Sequence, residues 1–167
     1  MTNAANTTKA TGPSGARRVR TARYASLLGC AILAGIAVTV LVLELAFRRL
    51  TGPEYVRVRQ AEFAFLTWYI GAVTVLTLVA VAALVRHARR VHSRALRPAA
   101  VALALLLLAL AISLAVNGPI NVEQVGWHAQ APPADWARVR DRWQIAHAVR
   151  TAAILAALGF LSAAVLD

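Results

Sequence analysis

Lysine, cysteine and acidic residues are scarce in this 167-residue chain, and each shortage excludes something. The one cysteine, Cys30, cannot form an intramolecular disulfide, and no Cys-x-x-Cys pair exists to hold zinc or run thiol redox chemistry. Lys9 is the single lysine beside seventeen arginines, so no catalytic lysine waits in an apolar stretch. Histidine occurs four times, with no pair at i, i+4 on an apolar span; His87 and His92 fall in a basic block. A glycine-rich phosphate loop and a serine-triad motif are also missing. Nucleotide hydrolysis, serine hydrolysis and zinc chemistry therefore have no sequence support.

Apolar residues are what the chain has instead. They make up 59% of it, against roughly 45–50% in soluble domains. The formal net charge of +11 would suit a nucleic-acid binder, but such modules gather arginine on one face of a folded domain. Here the basic blocks flank uncharged runs, as juxtamembrane arginines do; nucleic acid is not an expected partner, and the lipid bilayer is. Four runs, about 24–47, 63–85, 98–116 and 145–166, each have the roughly 20 residues needed to cross a bilayer. Lipid forces them to be helices, because every backbone polar group must be satisfied within the segment. The expected fold is all-α, an integral membrane four-helix bundle over 24–167, preceded by a disordered basic tail over 1–23. The first run is too long for a signal peptide.

Basic residues set the expected orientation. Ten lie in the tail and second connection and eight in the first and third connections, which favours both termini in the cytoplasm of a bacterial plasma membrane. Helix starts are legible. "TGPE" at 51–54 reads as a capping box with proline in the first turn. "PPADW" at 132–136 reads as the start of a rod running to Leu166. "NGPIN" at 117–121 reads as a break that ends the third helix.

The stretch "RWQIAHAVR" at 142–150 carries the densest hydrogen-bonding capacity next to an apolar run. At about 100° per residue, Trp136, Trp143, His147, Arg150 and Ile154 share one stripe. A charge that deep usually faces the bundle interior and has a partner; Glu44 and Glu62 are available to Arg150, and a Glu44–Arg150 ion pair is expected. The expected site is a polar cluster of Glu44, Glu62, Asn117, Asn121, His147 and Arg150, ringed by Trp68, Tyr69, Trp127 and Trp143. Interfacial tryptophans and a structural ion pair would explain the same residues without any chemistry. His147, Glu44 and Glu62 could hold a metal such as Fe or Cu with open positions, or there is no cofactor. A closed apolar pocket lined by His147 would favour an enzyme. A filled bundle with Arg150 fully paired would favour a binder or an accessory subunit. Oligomerisation stays open.

The segment "NGPINVEQVGW…PPADWARVRDRWQIAHAVRT" resembles a family of small four-helix membrane proteins that includes the anthrone oxygenases. The resemblance rests on Asn117, Pro119, Ile120, Asn121, Trp127, Trp136, Trp143, His147 and Arg150. It implies a membrane bundle and an oxygenase acting on a small, flat aromatic substrate. It further implies His147 or Glu62 as base, Arg150 as stabiliser of an enolate oxygen, and Asn117, Asn121 and the aromatics Trp68, Tyr69, Trp127 and Trp143 as substrate contacts.

Overall fold

A computed structural model describes residues 13–166. It contains α1 (Pro13–Phe47), α2 (Gly52–Arg90), α3 (Leu96–Ile112), a π-turn (Ser113–Asn117), α4 (Gly118–Val125) and α5 (Trp136–Leu166). There is no strand among the described residues. Four helical stretches are long and apolar enough to cross a membrane: Val19–Phe47, Leu66–Arg90, Leu96–Val125 and Trp136–Val165. Only 17–33% of each apolar window is buried within the protein, so most of this apolar surface faces outward, as lipid requires. Four such helices in succession bring the described ends, Pro13 and Leu166, to the same side of the bundle.

The helices pack as a ring. α1 touches α2 and α5, and α3 touches α2 and α5. On the side of the termini the interior is dry and small-residue-rich: Cys30 and Ala34 of α1, Val81 and Leu84 of α2, Ala99 and Ala102 of α3, Ala157 and Leu161 of α5. Alanine at these positions lets helices approach closely, which is how packing replaces the hydrophobic effect in lipid. α1 and α2 approach closely at Gly29, where a Cβ would lie 2.4 Å from Oγ1 of Thr77 and force that side chain to shift.

Two sequence expectations change. The N-terminal segment is helical from Pro13, not disordered up to residue 23. Arginine and alanine propagate helix well, so the apolar span extends α1 backward through "ARRVRTAR", and the rest of the expected tail lies outside the described residues. "NGPIN" does not stop the third crossing. The N–H of Gly118 donates to the carbonyl of Ser113, five residues back, and the wider turn feeds directly into α4. Pro119 then falls in the first turn of α4, where a missing N–H costs nothing. A Cβ on Gly118 would sit 3.1 Å from the Ser113 carbonyl, so glycine lets the turn close. The start of α2 is as expected in outline: the Glu54 carboxylate accepts from the Thr51 N–H at 2.8 Å and its hydroxyl at 2.7 Å. Those two bonds hold Glu54 below the usual carboxylate range.

Candidate functional site

Away from the termini the interior turns polar, and its centre is Arg59. In α2, Tyr55, Val56 and Arg59 form one buried face. Arg59 uses every guanidinium nitrogen: Nε donates to Gln124 at 3.1 Å, Nη2 to Asn121 at 2.9 Å, and Nη1 to Glu44 at 3.1 Å and to Glu62 at 2.8 Å. The guanidinium lies 4.2 Å from the centre of the Trp143 ring, a cation–π contact. Glu44 is 1% exposed and also accepts from Gln144 at 2.9 Å. Glu44 therefore pairs with Arg59 and not, as expected, with Arg150. α1 and α2 are neighbours joined by a short turn, so Arg59 meets Glu44 first.

Arg150 belongs to a second group. Its Nε donates to Nδ1 of His147 at 3.0 Å, and its Nη1 donates to the hydroxyl of Ser113 at 2.9 Å. The π-turn begins at Ser113, so the irregular backbone sets where Arg150 is held. Nη2 has no partner among the described residues, and no carboxylate pairs with Arg150 there. His147 is 1% exposed, stacks on Trp143 at 4.9 Å, and meets the carbonyl of Ala37 through Nε2 at 3.0 Å. The carbonyl can only accept, so Nε2 carries the proton and Nδ1 accepts from Arg150. Both ring nitrogens of His147 are thus engaged.

Asn121 accepts from Arg59 and from the indole N–H of Trp143 at 2.7 Å, tying the two groups together. Asn117 donates to the Trp143 carbonyl at 3.0 Å, while its buried Oδ1 has no donor among the described residues. Trp127 lies against the small apolar cluster of Ile120, Val139 and Trp143, and its carbonyl accepts from Gln60 at 2.9 Å. Trp68 and Tyr69 are 85% and 53% exposed and do not ring the cluster. The inward face of α2 at this height carries Ile70 and Thr74, which turns Trp68 and Tyr69 toward the surroundings.

Two cavities meet at Arg150. The inner one, about 170 Å³, is mostly apolar and is lined by residues of α1, α2, α3 and α5. Leu33, Ile36, Ile70, Leu106 and Ile154 line it, with His147, Ser113 and Arg150 at one end. The outer one, about 140 Å³, is lined by Arg59, Glu62, Phe63, Asn121, Trp143 and Arg150. Val40, Ile70 and Arg150 line both. Glu62 lies outside the spans, and its carboxyl is raised above the usual range. Burial is the main cause and the Glu44 charge adds to it; the Arg59 contact opposes them, but its Nη1 is shared with Glu44.

These residues do not make a metal site in this arrangement. Glu44 and Glu62 both point at Arg59, and His147 has no free nitrogen. Among the described residues no three His, Cys, Asp or Glu side chains converge. No step below is routed through Fe or Cu.

The fold is a four-helix membrane bundle in which the partly buried Arg150 lines both an apolar and a polar cavity. The sequence profile of the anthrone oxygenase family matches residues 65–160, more than half of the chain, and the chain belongs to that family. The matched region contains Asn117, Asn121, Trp143, His147 and Arg150 but not Glu44, Arg59 or Glu62. No curated protein and no solved structure matches the chain.

Sequence reasoning missed Arg59, Ser113, Gln124 and Gln144. Arg59 was counted among the connection arginines, yet it falls four residues after Tyr55 on one helical face, a signal that pointed inward. Ser113 had no such signal, because the π-turn that presents it is not written in the periodicity.

Proposed function

We propose that this protein is an anthrone oxygenase-like oxidoreductase acting on a small, flat phenolic substrate at the paired cavities. Arg150 carries this reading. It is a cation set into the bundle, balanced by neutral Ser113 and His147 alone, with one nitrogen unused between the two cavities. A partly buried charge without a counter-charge is costly, and an anionic oxygen of the substrate would supply one. The apolar cavity would take the rings.

The reaction converts an activated ring methylene and O2 into a carbonyl and water. Glu62 takes one methylene proton, and the electron pair moves onto the ring oxygen, an enolate held by Arg150. Glu62 suits this task because its raised pKa keeps the conjugate acid stable at the polar cavity. The enolate carbon then gives its electrons to O2, forming the C–O bond, and the peroxide takes the proton back. Loss of water breaks the O–O bond and the second C–H bond and leaves the carbonyl. His147 acts by positioning: Ala37 fixes its tautomer, and its lone pair orients Arg150.

We further propose that both termini are cytoplasmic. Arg59 and Arg150 are held inside the bundle, so they leave the count of flanking charges, and the margin becomes ten against six. Reporter fusions at each connection test that orientation. The activity is tested by O2 uptake with a tricyclic phenol bearing a ring methylene, for wild type and Glu62→Gln. Uptake matched by quinone formation, lost in the variant, supports the reading. Saturable binding with no O2 uptake would assign a non-enzymatic binder instead.

A further inference from the structure

A shallow, open groove of about 420 Å³ lies between α1 and α2 toward the termini, lined by Thr21, Ala22 and Ala25 of α1 and by Leu76, Val79, Ala80 and Ala83 of α2, with Arg17 at its end. The α2 wall is apolar throughout, and its alanines leave the depth open. From Ala25 to Arg17 the groove runs about 12 Å along α1 at 1.5 Å per residue, enough for the upper part of one acyl chain.

Charge says which lipid fits. Arg17 closes the groove at the level where the apolar span gives way to the basic segment. Leu76, Ala80 and Ala83 form one stripe of α2, and His87 and Arg90 continue it at helical spacing past the groove's end. Among the described residues every acid lies on the opposite side: Glu44, Glu54, Glu62, Glu123, Asp135 and Asp141. A cationic end over an apolar channel, with no competing carboxylate, is complementary to an anionic phospholipid. We infer that the α1–α2 groove holds one anionic phospholipid, its acyl chain between Ala22 and Ala80 and its phosphate at Arg17. The site is separate from the ligand cavities and independent of the oxygenase reading.

Native mass spectrometry of the full chain in mild detergent tests this, with phosphatidylglycerol and phosphatidylcholine of equal chain length added in turn. One phosphatidylglycerol should stay bound per chain, preferred over phosphatidylcholine by about tenfold, because phosphatidylcholine carries the same phosphate but sets a choline cation against Arg17. Ala80→Trp should fill the groove and remove the bound lipid. Ala83→Leu, a milder filling, should weaken it, which keeps the test valid if the larger side chain prevents folding. Arg17→Gln should erase the headgroup preference, and Arg17→Lys should retain most of it. Equal retention of both lipids, or retention unchanged in both groove variants, would overturn the inference and leave ordinary surrounding lipid only. Competition by glycerol phosphate as strong as by the whole lipid would also overturn it, since the chain would then add nothing.

Discussion

Replacing Arg59 by methionine should destabilise the protein far more than replacing Arg150. Arg59 is the only cation within reach of Glu44 among the described residues, at 3.1 Å, and the Glu44 side chain is 1% exposed. Removing one partner of such a pair strands the other charge and costs about 3–5 kcal/mol. At roughly 2–4 °C per kcal/mol for a chain of this size, melting should fall by roughly 6–20 °C. Arg150 strands no carboxylate when it is lost, so Arg150→Met should stay within about 1 kcal/mol of wild type; it removes a costly charge along with two hydrogen bonds to neutral partners. Adding Glu44→Gln to Arg59→Met should recover much of the loss, because the neutral amide no longer needs a counter-ion. Thermal unfolding in mild detergent, followed by circular dichroism, reads all four proteins. If both arginine variants lose the same stability, or if Glu44→Gln restores none of it, the division into a structural and a ligand-facing arginine is wrong.

Three further outcomes are expected. The Glu62 carboxyl is raised in the folded state, so between its ordinary pKa of 4.5 and the raised value the folded protein holds a proton that the unfolded chain has released. Stability should therefore fall as pH rises through that window and stay reduced above it. Glu62→Gln should flatten the fall in melting measured against pH and lower turnover by about 10²–10⁴; a pH profile identical to wild type would remove Glu62 from both roles. His147→Ala should leave the Ala37 carbonyl without its side-chain partner and Arg150 unanchored, weakening phenol binding by about tenfold or more through the lost charge-assisted bond. Metal content should be the same in that variant and in wild type; metal that tracks the histidine would reverse the positioning role. Trp68→Ala should change neither binding nor turnover, since Trp68 is 85% exposed, and a large loss of affinity would return it to the site.

The parts of this protein that one helix dictates were legible in its sequence. Apolar run length gave the four crossings, and the 3.6-residue period put Trp143, His147 and Arg150 on one inward face of α5. Whatever depended on the register between helices was not. Glu44 could have met either arginine, and the choice of Arg59 follows from how α1 and α2 pair across their turn. Trp68 and Tyr69 adjoin Ile70, which lines both cavities, but nearness along the helix does not determine rotation about its axis. The Gly118-Pro119 pair reads as a break because an α-helix cannot absorb it; a π-turn can, and that turn places Ser113 against Arg150.

The measurement that tests the central claim most directly is equilibrium binding of a tricyclic phenol and of its deoxy analogue to the protein in lipid nanodiscs, with wild type beside Arg150→Gln. Wild type should prefer the phenol by about tenfold or more, the contribution of a hydrogen bond to a charged group. Arg150→Gln should bind the two compounds alike, with its melting temperature unchanged. A preference that survives the substitution, or wild type that does not distinguish the compounds, would contradict the assignment of Arg150 as the anion-holding residue.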